Sequence, residues 1–342
     1  MSEPGQQPTA PRARPQLRHA RPGDEAALVR ILRTRTLAYL AWRFRDAPEP
    51  VVQLVLEADG RIVGFMAHVG FSTWVDGERV LLGQGGDTTV EKGHQGPFGM
   101  KQLVHGFLGG EHPYALRMNF PTERAAVLME RFGGGSVIGR IPRFARGGRG
   151  AGIGNPVLRA LVGRASDLAS AAVAAPPSRL RAERIDDPGV EVDELADASR
   201  HVARCIRVRD ARYLRWRWLD PRSGDWELRG VRDRRGRLRG WAVIGEDPWA
   251  PGFGMVADLL APDAAALRAL LRDAHRQLAA RGLPRVVVPL HDPRPWAARA
   301  IRSAGFLPSG EGTRVTCKVL DERLGSAPES WSSWYLTSGD HE

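Results

Sequence analysis

The sequence has 342 residues, 42% of them hydrophobic and 26% charged, which describes a globular chain with a sizeable core and, at about 100 to 200 residues per domain, two domains. No apolar run approaches the ~20 residues that cross a bilayer, and the Pro-, Gln- and Arg-rich start lacks the apolar centre of a secretory signal, so a cytoplasmic location is expected. Lys and Arg outnumber Asp and Glu by 50 to 39, a net charge of +11, yet only Lys92, Lys101 and Lys318 are lysines, a bias that reads as a dispersed arginine surface. No interleaving of basic and aromatic residues marks a nucleic-acid face. Cys205 and Cys317 have no metal-ligand spacing; they read as buried thiols, and no metal is expected.

In chain order, residues 1–16 read as a disordered N-terminus. A strand at 17–20 leads through Gly23-Asp24 into an amphipathic helix with Leu28, Ile31 and Leu32 on its apolar face. After Tyr39-Leu40-Ala41-Trp42-Arg43-Phe44-Arg45-Asp46 come β-rich runs at 51–58 and 61–69 separated by Asp59-Gly60, and another opened by Asp76-Gly77. Asp-Gly between apolar runs favours a two-residue hairpin turn, because both positions need φ above zero, so an antiparallel meander is expected. The period then changes. A strand ending at Asp87-Thr88-Thr89-Val90 passes through a glycine-bearing loop into a helix at 98–107, followed by a strand at 115–119, a helix at 122–132 and a strand at 137–143.

The chain also repeats itself. Tyr39-Leu40-Ala41-Trp42-Arg43-Phe44-Arg45-Asp46 returns as Tyr213-Leu214-Arg215-Trp216-Arg217-Trp218-Leu219-Asp220, with Tyr, Leu, Trp, Arg and Asp kept in place. Pro121, Ala125, Ala126 and Gly133 meet Pro293, Ala297, Ala298 and Gly305, and Asp87 falls near Asp258. The second half accordingly reads as strands at 226–231, 238–244 and 253–260, a helix at 262–281, a strand at 285–290 and a helix at 294–304. The expected division is a first domain at 17–146, a linker at 147–185 carrying a helix near 157–174, a second domain at 186–320, and a tail at 321–342. Because that tail holds Trp331, Trp334 and Tyr335, it is expected to pack on a domain. The paired Tyr39 and Trp42, and Tyr213 and Trp216, read as core aromatics, with an acceptor pocket as the alternative.

Strand, helix, meander, strand, glycine loop, helix, strand, helix, strand: this order, with Gln95 five positions after Val90, resembles the GNAT superfamily of acyl-CoA transferases. The 119–133 segment, with Asn119 and Gly133 at its ends, resembles that family's late helix. The resemblance implies a mixed α/β (α+β) protein of two GNAT-like domains, each a mostly antiparallel twisted sheet flanked by helices. It implies acetyl-CoA, or another acyl-CoA, as co-substrate, held along Thr88, Thr89 and Val90 and by the loop Gln95-Gly96-Pro97-Phe98-Gly99-Met100. There, consecutive backbone N–H groups at a helix start receive the pyrophosphate. Phe98 and Met100 stand where the family places small residues. Lys92 and Lys101 flank the loop.

The implied reaction is attack by an amine, of a small molecule, sugar or peptide, on the thioester. It needs a base and an oxyanion donor near Val90. Asp87 and Glu91 are the carboxylates nearest the strand's end, Asp87 the preferred base, and Asn119 is carried over as a cofactor- or water-binding position. Met129 stands where many members carry a tyrosine that protonates the thiolate. In the second half, Asp263 at the helix start would repel a pyrophosphate, so only the first half is expected to bind CoA. Two alternatives keep the fold: an aminoacyl transferase that uses charged tRNA to extend peptidoglycan peptides, and a non-catalytic binding protein.

Overall fold

The computed structural model describes residues 14–94, 97–147 and 179–341, with positions 157 and 161 between them. Most of the expected linker helix, and the loop residues Gln95 and Gly96, lie outside the described residues. The first half runs β1 (Gln16–His19), α1 (Glu25–Leu32), α2 (Leu37–Leu40) continuing into a π turn (Ala41–Arg45), β2 (Val51–Ala58), β3 (Arg61–Val75), β4 (Glu78–Val90), α3 (Pro97–Gly109), β5 (Leu116–Asn119), α4 (Glu123–Arg131), β6 (Ser136–Ile141) and β7 (Arg143–Arg146). The second runs β8 (Arg181–Arg184), α5 (Val190–Ala198), β9 (Cys205–Arg207), α6 (Ala211–Leu214) with its own π turn (Arg215–Leu219), β10 (Trp226–Arg232), β11 (Leu238–Glu246) and β12 (Gly254–Leu260). It ends with α7 (Ala264–Ala280), β13 (Val286–His291), α8 (Ala297–Ser303), β14 (Leu307–Pro308), β15 (Thr313–Val319) and β16 (Trp334–Thr337).

Both Asp-Gly pairs make the turns their chemistry favours. Asp59 and Gly60 sit at φ 51 and 70, Asp76 and Gly77 at φ 51 and 87, and they join β2 to β3 and β3 to β4. The meander is longer than the sequence suggests: β4 is one strand of 13 residues, where two separate runs were expected. All the described strands join one open, mostly antiparallel sheet in the order β6, β15, β5, β4, β3, β9, β16, β13, β12, β11, β10, β8, with β2 and β1 off β3 and β7 with β14 off β13.

The halves exchange a strand. β15, from the end of the second half, lies between β5 and β6 of the first, with Thr316 opposite Asn119 on one side and Val315 opposite Gly139 on the other. Reciprocally, β7 lies beside β13 and β14, pairing Ala145 with Val287 and with Leu307. Pro142, which cannot donate to a ladder, separates β6 from β7 at the point where the chain crosses over. A cut at 146 or 186 therefore leaves neither half with a complete sheet, since each is finished by a strand of the other.

One core runs through both halves, including Phe65, Trp42, Trp216, Trp241, Phe306 and Tyr335. A second lies under α3, where Leu103, Val104 and Phe107 meet Leu54, Leu56 and Met66; each such side chain contributes about 1.5–3 kcal/mol by burial. The aromatic tail enters the sheet itself, β16 pairing with β9 and with β13. Among the described residues no helix is long and apolar enough to cross a membrane.

Candidate active site

The site begins where two parallel strands part. β4 pairs with β5 from Leu82 opposite Leu116 to Gly85 opposite Asn119 and no further, while β4 continues to Val90 against β3 alone. A register shift between Phe65 and Ala67 marks a bulge in this stretch, and Asp87 takes the left-handed φ of 49 there. Beyond the bulge Thr89 and Val90 still pair with β3 while the pairing with β5 has ended, which leaves a wedge between the two parallel strands. At its mouth stands the start of α3. Gly99 is buried, and a Cβ on it would meet His94 O at 2.9 Å and Val90 Cγ1 at 3.2 Å, so glycine here lets the helix start close on the strand's end. Phe98, the residue that departs most from the family's loop, is 80% exposed and does not fill the wedge. With Lys101, His105, Arg131 and Phe132 it lines a groove of about 360 Å³ between α3 and α4. Met100 packs on the core beneath α3.

Of the two carboxylates, Glu91 is turned outward, pairing with Arg30 and standing 3.5 Å from Arg61 Nη2. Asp87 is nearly covered: Arg35 donates from Nε to Oδ1 at 2.8 Å, and the Tyr39 hydroxyl donates to Oδ2 at 2.8 Å. Asn119 is buried, its Nδ2 3.4 Å from Thr316 Oγ1 and its Oδ1 lying across Gly85, where a Cβ would stand only 2.1 Å away. It does not cap α4; Thr122 does, accepting from the Ala125 N–H. Met129 is buried with its sulfur 3.7 Å from Arg117 Nη2.

Arg117 was not anticipated. It is fully buried beside the wedge, donates from Nε to His68 Nε2 at 2.8 Å and from Nη1 to Gly134 O at 3.3 Å, and burial pushes its guanidinium down to about 10. His68 must accept at Nε2, so its proton resides on Nδ1. Burial, followed by the Arg117 charge, holds it well below the ordinary histidine range. His68 in turn stacks on Phe107 of α3 at 3.6 Å.

The second half reproduces the frame and closes it. Arg209 and Tyr213 grip Asp258 as Arg35 and Tyr39 grip Asp87, at 2.9 and 2.8 Å. β12 and β13 also part early, pairing only at Gly254 with Val286 and Met255 with Val287. Here β16 takes up the space: Leu290 pairs with Thr337, the Tyr335 hydroxyl donates to Leu259 O at 2.9 Å, and the Thr337 hydroxyl donates to Asp258 at 2.8 Å. Asp263 caps α7 by accepting from the Ala266 N–H, occupying the helix start with its own carboxylate. His291, at the place of Asn119, is stacked on Trp331 at 3.8 Å.

Between the halves lies a cavity of about 660 Å³, lined among others by Arg35, Tyr39, Trp42, Arg43, Arg217 and Trp218. Tyr39 connects it to Asp87 and the wedge. Trp42 and Trp216 are buried, as core aromatics should be, but Trp42 also forms a wall. The arginines were the missed residues, although Arg43 and Arg217 stand among the positions kept in the repeat. No group of His, Cys, Asp and Glu suited to a metal ion occurs among the described residues.

No family model and no curated protein matches the sequence. Solved structures do match. A GCN5-related N-acetyltransferase from Anabaena variabilis aligns with 92% of this chain and 75% of its own at TM-score 0.61 and 10% identity. One from Kribbella flavida aligns over 92% and 74% at 0.59 and 16%. Saccharomyces cerevisiae N-myristoyltransferase with bound myristoyl-CoA aligns over 92% and 84% at 0.52 and 10%. At these identities the likeness is one of architecture, and it agrees with the bulged β4, the parted strands and the α3 start: over nearly its whole length, the chain has the fold of the GCN5-related N-acetyltransferase superfamily.

Proposed function

We propose that the chain is a CoA-dependent N-acyltransferase whose first half binds the acyl-CoA and whose acceptor amine enters from the central cavity. The observation that carries this reading is the contrast between the two wedges: among the described residues β4 and β5 part without a strand between them, whereas β16 occupies the equivalent space between β12 and β13. Pantetheine is an extended chain with amide donors and acceptors, which suits the freed strand edge at 86–90. The phosphates fall to the start of α3, where helix-end N–H groups and the basic Lys101 and Arg131 of the adjoining groove favour an anion. By the resemblance to the family, Thr88, Thr89 and Val90 supply the strand edge, and the phosphate loop is assigned to Gln95 to Met100, of which Pro97 to Met100 begin α3.

In this scheme the amine attacks the thioester carbonyl beside the bulge, and a backbone N–H near Thr88 to Val90 receives the developing oxyanion. Asp87 is the proton acceptor, reached through the Tyr39 hydroxyl: as Tyr39 passes its proton to Asp87 Oδ2, its oxygen takes the proton that the attacking nitrogen loses. Arg35 holds the carboxylate in place for this. Thiolate departure needs no dedicated acid, since a thiol of pKa about 8.5 leaves readily as the anion, which accords with Met129 at that place. Asn119 orients the thioester side of the wedge. Isothermal titration with acetyl-CoA tests the reading: binding in the micromolar range is expected, and none at millimolar cofactor would refute it.

A further inference from the structure

The central cavity holds two buried cations that have no counter-charge among the described residues. Arg43 is 2% exposed and Arg217 5%, and among the described residues neither has a carboxylate within ion-pair distance. Arg43 Nε and Nη2 have no hydrogen-bond partner, and Arg217 reaches only the His341 carbonyl, at 3.2 Å from Nη2. The cavity's other two arginines are neutralised, Arg35 by Asp87 and Arg222 by Asp46 and Asp220. Burying a guanidinium without partners is costly, and burying two side by side is costlier. Aromatic faces offset part of this, with Arg217 lying 4.4 Å over Trp218 and Arg43 5.9 Å from Trp216. Stacking leaves in-plane N–H donors to be met: Nε and Nη2 of Arg43 have no partner among the described residues, and one donor of Arg217 is met by a neutral carbonyl. Planar donors aimed into a cavity are suited to bidentate recognition of an oxyanion.

We propose that Arg43 and Arg217 together bind the carboxylate or phosphate of an amine-bearing acceptor inside this cavity. The proposal rests on the acyltransferase reading for the word acceptor, but the anion site itself does not. The aromatic walls, half-buried Tyr39 and buried Trp42 and Trp218, select a ligand with a flat or apolar body. Glu246 and Asp225, exposed on the same cavity, face its solvent side and disfavour ligands that are anionic all over.

The probes are 3-phenylpropionate and phenyl phosphate, each titrated calorimetrically against its neutral counterpart, 3-phenylpropanamide and phenol. The expected result is at least tenfold tighter binding of one anion than of its neutral counterpart, lost in both Arg43→Met and Arg217→Met; which anion wins identifies the headgroup. Equal affinity for anion and neutral partner, or retention of anion binding in the double variant, overturns the proposal. Thermal melting guards against misfolding and discriminates further. Removing an uncompensated buried charge should leave the melting temperature unchanged or raised, whereas arginines kept only to stack on the tryptophans should lower it when replaced. Acetyl-CoA is titrated in parallel. Cofactor binding without anion preference overturns this inference and leaves the acyltransferase reading standing, while anion preference without cofactor binding does the reverse.

Discussion

Trp42 and Trp216 bond to each other twice, each indole N–H donating to the other's backbone carbonyl, at 2.8 and 2.9 Å, across a separation of 174 residues. The rings stack at 5.7 Å and 29°. A reciprocal pair of this kind is what a local two-fold relation between the halves produces, and it fixes the two π turns back to back. Arg43 and Arg217, the next residues along, are thereby brought to one cavity.

The pair should behave as a single energetic unit. Trp42→Phe leaves a buried carbonyl of Trp216 unmet and should cost about 1–3 kcal/mol, and Trp42→Ala about 3–5 kcal/mol. In urea unfolding, Trp42→Ala combined with Trp216→Ala should cost clearly less than the two single losses added together, because either change alone already breaks the stack. Strict additivity would show that the rings act independently.

Asp87 and Asp258 occupy matching places but should differ sharply when removed. Asp258 is wholly buried and receives donors from Arg209, Tyr213, Thr337 and, at 3.3 Å, Trp218; Arg209 is equally buried. Asp258→Ala leaves Arg209 with Asp340 as its remaining carboxylate and takes the acceptor from the Tyr213 and Trp218 donors, and should cost about 3–5 kcal/mol. Arg35, the partner of Asp87, is 31% exposed and can turn to water, so Asp87→Ala should cost no more than about 1 kcal/mol. If Asp87 is the proton acceptor, the same change lowers kcat with little change in acetyl-CoA affinity. Denaturant melts and steady-state kinetics on the two variants separate the roles, and equal destabilisation would contradict this division.

Much of the frame could be read from local chemistry. The Asp-Gly turns fix two hairpins, and the Tyr39 and Tyr213 segments, alike in sequence, both fold as a short helix running into a π turn. The exchange of β7 and β15 could not be read, because strands of like pattern do not encode which neighbour they choose. Asp87 was visible as a strand-end carboxylate. Its partners Arg35 and Tyr39 lie 52 and 48 positions earlier and carry no local sign of that contact. Composition misled on charge: Arg43, Arg117, Arg207, Arg209 and Arg217, expected on a dispersed surface, are buried. The repetition of Arg43 as Arg217 was the available signal, since a surface arginine has no reason to be kept in register with a buried tryptophan. Both cysteines are buried and free, as their spacing suggested, and burial pushes the Cys205 thiol up to about 12.

At the helix start, Gly99 and Phe98 should respond in opposite ways. A methyl group at Gly99 meets His94 O and Val90 Cγ1, so Gly99→Ala must push the loop from the end of β4 and should weaken acetyl-CoA at least tenfold. Phe98 stands clear of the wedge, and Phe98→Gly should leave affinity intact or improve it, at a helix-propensity cost of about 1 kcal/mol. Calorimetric titration of both variants checks the loop geometry; a collapse of affinity in Phe98→Gly would place the phosphates against the phenyl ring.

His341 connects the central cavity to the pH dependence of stability. Burial, then the charges of Arg217 and Arg43, push its imidazole down to about 4, from an ordinary value near 6.5. Its ring also contacts Phe120 at 5.2 Å and Trp249 at 5.5 Å, apolar neighbours that give a proton no compensation. The folded chain therefore holds His341 neutral through a range in which the unfolded chain protonates it. As pH falls from about 6.5 to about 4, the unfolded state takes up the extra proton and stability declines; below about 4 both states are protonated and this contribution stops changing. For a partly exposed group the loss should be about 1–3 kcal/mol. His341→Gln should flatten the stability profile between pH 6.5 and 4 in denaturant melts, leaving the value at pH 8 within about 1 kcal/mol of the parent. Arg217→Met, by removing one of the two cations that depress the imidazole, should move the decline to higher pH and shrink it. If Arg217→Met leaves the profile of the parent unchanged, the histidine does not sense the arginine pair.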